Sequence, residues 1–229
     1  MLSVSSLEVA YGAAKVLHDV SLTVGSGEVV FIAGRNGAGK TTLLKSIAGF
    51  VPPLAGTVNF DGRNIVGVPP EKVALGGIRY VFQDKRVFSQ LTVRENIQLA
   101  AYPVKERLSD AIAKVVAIYP KLEQFLDTRS GGLSGGQRQI LLIGRALVGK
   151  PSLLLIDEPT EGLAAGTIND IMNALNVLRE KVSMLIVEQN LSVVGALADR
   201  LYIMHEGKII REIAGKSEIK DKGKIETYL

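Results

Sequence analysis

The chain has no cysteine and no uninterrupted apolar run that approaches the ~18 residues needed to cross a bilayer. The absence of cysteine excludes disulfides and thiolate-ligated metals. The N-terminus also lacks the charged segment and the long apolar segment of a signal peptide. From these absences we expect a soluble protein that works on the cytoplasmic side.

A strong charge of one sign is missing as well. The 229 residues include 27 lysines and arginines against 23 acids, a net charge of +4, and no basic run exceeds two residues. This distribution gives no support for a nucleic-acid partner. A mildly basic surface is compatible with a position beside an anionic membrane. The length and the 47% hydrophobic content are sufficient for one large domain with a sizeable core.

What the sequence does contain is a phosphate-loop motif at residues 34–42. The motif G-x-x-x-x-G-K-[ST] predicts a nucleotide site because glycines allow backbone N–H groups to surround a polyphosphate at a helix N-terminus. An apolar strand, Glu28–Ala33, precedes the loop, and an apolar-faced helix follows it. Lys40 is expected to reach the terminal phosphates, and Thr41 to ligate Mg²⁺. The candidate nucleotide-binding residues of the loop are Gly34, Arg35, Asn36, Gly37, Ala38, Gly39, Lys40, Thr41 and Thr42. For Arg35, a solvent-facing position is the alternative.

Two acids follow the apolar run Leu153–Ile156. Ligands of open α/β sheets lie beyond the carboxyl ends of the strands, so Asp157 and Glu158 are predicted to lie near the phosphate loop. Asp157 would hold Mg²⁺, and Glu158 would orient the water that attacks the γ-phosphate. The alternative is an acid pair that merely ends a strand.

The third motif is Leu-Ser-Gly-Gly-Gln at residues 133–137, leading into a predicted helix. With the two preceding motifs, in this order, the chain resembles the nucleotide-binding subunits of ABC transporters, in which Leu-Ser-Gly-Gly-Gln is the signature. The match runs from about Leu7 to Ile210. The resemblance implies an ATPase with Mg·ATP whose subunits pair head to tail. Ser134 and Gly136 would then act on the ATP held by a second ATPase subunit. A simple N-cap is the other interpretation of Ser134.

The resemblance also assigns two further residues. Tyr11 falls where the family stacks an aromatic ring on adenine, although a strand-end ring that packs on the core has the same appearance. Gln83 falls where the family's glutamine contacts Mg²⁺ and the attacking water, beside the membrane subunit. These two assignments depend on the order of the motifs.

Two positions depart from the family pattern. Gln189 stands where a histidine usually bonds the γ-phosphate, and a glutamine can donate a neutral hydrogen bond but cannot take up a proton. We therefore expect Gln189 to position and Glu158 to carry most of the catalytic effect. Residues 161–164, Glu-Gly-Leu-Ala, stand where many members have Ser-Ala-Leu-Asp. The contact across the dimer that this aspartate normally makes is thus in question.

Several phrases, among them Pro-Thr-Glu-Gly-Leu-Ala and Val-Glu-Gln-Asn, resemble the ATPases of branched-chain (hydrophobic) amino acid importers. The resemblance implies integral membrane permeases as partners and a substrate-binding protein acting indirectly, with no nucleic acid. Importers of urea or amides have similar ATPases and remain an alternative. A non-transport ABC ATPase would need a coiled-coil insertion, a fused second ATPase domain or a basic stripe, and a metabolic P-loop kinase has no use for the signature.

Alternation of strands and helices predicts an α/β fold with a mainly parallel core. The predicted domain is 1–229, a P-loop NTPase of the ABC ATPase type. An antiparallel layer from the N-terminal third begins with strands Ser6–Tyr11 and Val16–Val24, and helices replace strands at about 83–150, including Lys105–Tyr119. Residues 216–229 are expected to form a short helix or a loosely held tail.

Overall fold

The structure is a computed structural model that describes all residues, 1–229. Its strands are β1 (Leu2–Tyr11), β2 (Ala14–Val24), β3 (Val29–Ala33), β4 (Ala55–Phe60), β5 (Arg63–Asn64), β6 (Ile78–Val81), β7 (Leu153–Asp157), β8 (Ser183–Val187), β9 (Arg200–His205) and β10 (Lys208–Ile213). Its α-helices are α1 (Lys40–Ile47), α2 (Pro70–Leu75), α3 (Val93–Ala101), α4 (Leu108–Ile118), α5 (Gly135–Ala146), α6 (Ala165–Leu178), α7 (Leu191–Leu197), α8 (Lys216–Lys220) and α9 (Lys222–Glu226).

The strands form two sheets, which confirms the predicted parallel core and antiparallel layer. Six strands lie in the order β10-β9-β3-β8-β7-β6, and all neighbours are parallel except β10 and β9. Every residue of β3, β7 and β8 is buried, as expected for parallel strands covered on both faces. The smaller sheet, in the order β2-β1-β4-β5, is antiparallel throughout.

The strand order determines where the motifs meet. The carboxyl ends of β3, β8 and β7 are adjacent, and β6 lies beyond β7. The phosphate loop follows β3, the acid pair ends and follows β7, and Gln189 and Gln83 come shortly after β8 and β6. Ligand sites of open α/β sheets lie at such an edge. The fold therefore brings four segments that are far apart in sequence to one place.

Helices α3, α4 and α5 pack together on one side of the parallel sheet. The buried Asn96 of α3 ties this region together, because its amide group donates to the carbonyls of Phe88 and Thr92 and to the Ser130 hydroxyl. Both α3 and α5 begin with a capping box, formed by a Ser or Thr and a residue three positions later. The predicted helical region at 83–150 is thus present. None of the helices is both long and apolar enough to cross a membrane.

Some predicted boundaries differ from the structure. β1 starts at Leu2 rather than Ser6, because a bulge at Ser5 and Ser6, with φ of 47° at Ser6, interrupts the alternation of apolar side chains. The helix predicted from Lys105 starts at Leu108, since Lys105 adopts a left-handed φ of 53° after a short 3₁₀ turn. The tail forms α8 and α9, which each bury one isoleucine.

The contact between α4 and α5 yields a test of the packing. A Cβ on Gly144 of α5 would lie 2.6 Å from Cγ1 of Val115 on α4. We expect Gly144→Ala to lower the free energy of unfolding by roughly 1–3 kcal/mol in urea titrations, and Val115→Ala to relieve part of that loss in the double variant. Gly166→Ala on α6 is the matched control, because nothing lies within 4 Å of the added methyl group. A Gly144→Ala protein as stable as the parent would contradict this packing.

Candidate nucleotide site

The phosphate loop joins β3 to α1 and requires glycine for two different reasons. Gly37 and Gly39 have φ of 82° and 101°, values that residues with a side chain rarely adopt. Gly39 is the N-cap of α1. Gly34 instead needs space, since a Cβ there would collide with the carbonyl oxygen of Met204 on β9. The motif glycines are thus required by this fold before any ligand is considered.

The turn between β9 and β10 braces the loop from outside. The Gly207 amide donates to the Ala38 carbonyl at 2.9 Å, and the Gly207 carbonyl accepts from the His18 amide of β2 at 2.9 Å. A Cβ on Gly207 would collide with the Val16 carbonyl. The β9–β10 turn therefore links the loop to β2, and the sequence gave no sign of this support.

Lys40, the first residue of α1, is buried at the centre of the loop. Its Nζ donates to the carbonyls of Gly34 at 2.8 Å and Arg35 at 3.1 Å, and it lies 3.5 Å from Oε1 of Glu158. The guanidinium of Arg35 is on an exposed residue and makes no hydrogen bond or ion pair. The geometry therefore gives Arg35 a backbone contact with Lys40 and a solvent-facing side chain.

Asp157, at the end of β7, is fully buried and holds both carboxylate oxygens on hydroxyl groups. Thr41 of α1 donates to Oδ1 at 3.1 Å, and Tyr80 of β6 donates to Oδ2 at 2.8 Å. Burial raises the pKa of Asp157, although the two hydrogen bonds act in the opposite direction. No lysine or arginine forms an ion pair with this carboxylate. It is a buried anion whose neighbours are neutral donors, which is a suitable ligand for a cation.

Glu158 follows directly and lies at the meeting point of the site. Its carboxylate accepts from Nε2 of Gln83 at 3.3 Å and from Nε2 of Gln189 at 2.7 Å, and Lys40 is beside it. The backbone at Glu158 has a left-handed φ of 44°. Such a conformation in a non-glycine residue costs about 1–3 kcal/mol and is concentrated at functional positions.

The two glutamines extend this network in different directions. Nε2 of Gln189 also donates to Oδ1 of Asn36 at 2.7 Å, so Gln189 bridges the phosphate loop and Glu158. Nε2 of Gln83 also donates to Glu161 at 2.8 Å. The structure thus brings Lys40, Gln83, Glu158 and Gln189 together.

The signature lies outside this network. Ser134 is exposed and caps α5, accepting from the Gln137 amide at 3.3 Å. Gly136 is buried against Thr167 of α6, where a Cβ would collide with the threonine methyl group. No hydrogen bond or ion pair joins residues 133–139 to the loop at 34–42.

Tyr11 also makes no hydrogen bond to the loop. It ends β1 opposite Ala14, and its side chain belongs to a residue that is 49% exposed. Further along β2, Leu17 touches the position of Gly39. The Tyr11 ring therefore lies at the exposed end of β1, and the neighbouring strand β2 packs against the phosphate loop.

Sequence reasoning missed two residues of the site. One is Tyr80, whose signal was a single hydroxyl in an apolar strand beside β7. The other is Glu188, which is buried and accepts from the Thr160 hydroxyl at 2.6 Å and from the amides of Gln189 and Asn190 at 2.8 and 2.9 Å. Its signal was an acid directly after an all-apolar strand, as for Asp157. Glu188 ties the segment after β7 to the segment after β8.

The oxygen donors present are compatible with Mg²⁺ bound together with phosphates. The site offers the Thr41 hydroxyl, the Asp157 carboxylate and the Gln83 amide, and no group of three or more His, Cys, Asp or Glu that could hold a metal occurs in the chain. Mg²⁺ prefers oxygen, keeps several waters and commonly takes one or two carboxylates plus substrate phosphates. The residues fit a metal that arrives with the nucleotide.

Comparison with known proteins agrees with this geometry. The family model of the ABC transporter matches residues 17–161. The high-affinity branched-chain amino acid transport ATP-binding protein BraG of Pseudomonas aeruginosa is 38% identical, over 100% of this chain and 99% of BraG. The lipopolysaccharide export system ATP-binding protein LptB of Escherichia coli is 33% identical, over 100% of this chain and 96% of LptB.

Two solved structures extend the comparison. The ADP conformation of MJ1267, an ATP-binding cassette of an ABC transporter, has a TM-score of 0.86 and 33% identity, covering 100% of this chain and 98% of MJ1267. A dimeric structure of MJ0796, a bacterial ABC transporter cassette, has a TM-score of 0.81 and 26% identity, covering 93% of this chain and 98% of MJ0796. The fold and the sequence of this chain therefore agree with those of nucleotide-binding cassettes along almost the whole length.

The raised pKa of Asp157 predicts a stability that depends on pH. The folded carboxyl holds its proton more tightly than the unfolded one, whose pKa is about 3.9. The ionised Asp157 carboxylate therefore destabilises the fold most at pH values above its folded-state pKa. This destabilisation disappears as the pH falls towards the pKa of the unfolded state. Without nucleotide and metal, Asp157→Asn should raise the free energy of unfolding at pH 7 by about 0.5–2 kcal/mol, and the gain should shrink towards pH 4.

Urea titrations across this pH range measure the effect. Asp170→Asn is the control, because Asp170 also accepts from a tyrosine, Tyr119 at 3.3 Å, but is partly exposed. We expect its effect to stay within about ±0.5 kcal/mol. An Asp157→Asn protein less stable than the parent at pH 7 would show that the buried charge of Asp157 does not lower the free energy of unfolding.

Proposed function

The chain belongs to the ABC transporter family, and from this premise we propose that it is the ATP-binding and ATP-hydrolysing subunit of an importer for branched-chain amino acids. The observation that carries the catalytic part is the meeting of Glu158, Lys40 and Gln189 at the carboxyl ends of β7, β3 and β8. The amino-acid part rests on BraG, which is more similar than LptB and matches over its full length. An importer of urea or amides is the alternative within the family.

The chain's residues divide the work of ATP hydrolysis. The loop amides of 34–42 and Lys40 hold the phosphates, as a row of donors at the start of α1. Thr41, Asp157 and Gln83 would hold Mg²⁺, which would supply positive charge against the phosphates. Glu158, between the two glutamines, orients the attacking water and accepts its hydrogen bond. The ring of Tyr11 stacks on the adenine.

Gln189 acts as a positioning residue in this scheme. Its single amide nitrogen donates to both Asn36 and Glu158, so it fixes the carboxylate relative to the phosphate loop. A glutamine side chain does not titrate, so Gln189 itself remains a neutral hydrogen-bond donor. Glu158 therefore carries the catalytic effect, and the usual histidine is replaced by a neutral donor.

A second ATPase chain completes the site. Ser134 is exposed at the start of α5 and is not bonded to its own loop, while its hydroxyl proton is available for an external acceptor. We propose that Ser134 and Gly136 contact the ATP of the partner, as the pairing of MJ0796 cassettes in a dimer supports. The contact is a helix N-terminus that meets an anion.

A groove of about 760 Å³ lies between the sheet edge and the helical region. Its wall includes the exposed aromatics Phe82 and Phe88 and the guanidinium groups of Arg79 and Arg145, each with a buried nitrogen that has no hydrogen-bond partner. We propose that integral permease subunits dock here at the cytoplasmic face of the membrane, adjacent to Gln83. A substrate-binding protein then acts through the permeases.

We further propose that 1–229 is one ABC ATPase domain, with the helical subdomain at about 83–150 and the C-terminal tail at 216–229. One continuous hydrophobic cluster supports a single domain, since it includes residues of the parallel sheet, the helical region and the tail, such as Phe31, Val115 and Ile225. Subdomain and sheet therefore share a core.

The catalytic roles are tested with two variants of the purified chain. Glu158→Gln should lower the steady-state ATPase rate by about 10²–10⁴-fold while ATP still binds, because it removes the carboxylate that orients the attacking water and keeps the shape of the side chain. Gln189→Ala should lower the rate less, since the carboxylate remains. The exposed Gln124→Ala is the control. If both site variants hydrolysed ATP like the parent, both assignments would be wrong.

The solute is tested in the assembled transporter. The chain is co-purified with the permeases encoded beside it, reconstituted in liposomes, and its ATPase rate is measured with the binding protein and single solutes. We expect leucine, isoleucine or valine to stimulate the rate and urea to leave it unchanged. Stimulation by urea or an amide alone would replace the proposed substrate, and no response to any hydrophobic amino acid would remove it.

A further inference from the structure

The buried Asp157 carboxylate accepts one hydrogen bond from Thr41, which ends the phosphate-loop motif, and a second one from Tyr80, which lies outside the loop. Thr41, which approaches Oδ1, comes from the phosphate loop side of the site, whereas Tyr80 approaches Oδ2 from β6. The two hydroxyls that hold the carboxylate thus belong to different elements, α1 and β6. A cation beside Thr41 would take Oδ1, and Tyr80 would still hold Oδ2.

We propose that Tyr80 is a positioning residue for magnesium: its hydroxyl fixes the orientation of the Asp157 carboxylate so that Oδ1 faces the metal. The inference rests on the proposed Mg²⁺ site. Donors of this kind that orient a ligating carboxylate typically contribute 10–100-fold to metal affinity.

The surroundings of Tyr80 suit this role. The Tyr80 hydroxyl donates to Oδ2 of Asp157 at 2.8 Å, and no other side chain bonds that oxygen. Its backbone is fixed by the parallel pairing of Tyr80 with Leu155, two residues before Asp157 on β7. Donor and acceptor are therefore set by adjacent, fully paired strands rather than by a loop.

The ring of Tyr80 is fixed as well. It lies 4.3 Å from the ring of Phe82 and 6.0 Å from that of Phe50, measured between centroids, and Phe50 and Phe82 lie 5.3 Å apart. Such tilted and edge contacts restrict ring rotation. Because Tyr80 and Phe82 also form part of the wall of the proposed docking groove, one side chain connects that groove to the metal carboxylate.

The chain offers a matched control for the test. Tyr119 donates to Oδ2 of Asp170 at 3.3 Å, a second tyrosine–aspartate hydrogen bond, located between α4 and α6 away from the phosphate loop. Tyr80→Phe and Tyr119→Phe each remove one hydroxyl from one carboxylate. Only the first removal touches the proposed metal ligand.

The experiment measures the thermal midpoint of the purified full chain with ADP alone and with ADP plus increasing MgCl₂. We expect Tyr80→Phe to keep the parent's shift with ADP alone and to need about tenfold more Mg²⁺ for half of the additional shift. Tyr119→Phe should match the parent in both. As a second measurement, Tyr80→Phe in an Asp157→Asn background should cause no further change in the Mg²⁺ dependence, because its effect passes through Asp157.

Each outcome separates the inference from its premise. If Mg²⁺ added nothing to the parent's ADP shift, the proposed metal site itself would be wrong. If the parent responded to Mg²⁺ and Tyr80→Phe responded at the same concentrations, only the role of Tyr80 would be overturned. A Tyr80→Phe protein that also lost the shift with ADP alone would show a general structural role and would overturn the inference too.

Discussion

The adjacency of the carboxyl ends of β3, β8 and β7 is the constraint on which the site depends. Each of these strands is buried along its whole length, so none can shift its register without exposing or burying the wrong residues. The phosphate loop, the acid pair and Gln189 are attached to these fixed ends. Precision of the site therefore comes from the core, and the hydrogen bonds at its edge only refine it.

Within this frame the chain stores unfavourable interactions. Asp157 is a buried anion held by neutral hydroxyls, Glu158 has a left-handed backbone, and Lys40 is a buried cation between two loop carbonyls and the Glu158 carboxylate. The two buried charges would each gain from a ligand group of opposite charge, whereas the strain at Glu158 lies in the backbone and is independent of charge. A polyphosphate bound with a divalent cation supplies both signs at once, so binding and folding stability are linked.

Much of the fold could be predicted from the sequence because apolar strands and turn residues alternate clearly from β3 onward. The start of β1 could not, since the bulge at Ser5 and Ser6 shifts the pattern by one residue and breaks the alternation that marks an inward face. The motif residues Gly34, Lys40 and Asp157 were predicted to lie near one another, and the structure places them so. Tyr80 and Glu188 were not, because one buried hydroxyl and one buried acid acquire meaning only when the strand order is known.

The geometry at Ser134 removes a choice that the sequence left open. The N-cap interpretation is correct, since the Ser134 oxygen accepts from the Gln137 amide, and the side chain of Gln137 accepts from the Ser134 amide in return. A hydroxyl that accepts one hydrogen bond still has its own proton to donate. The N-cap geometry is therefore compatible with the proposed contact to a partner's nucleotide and does not compete with it.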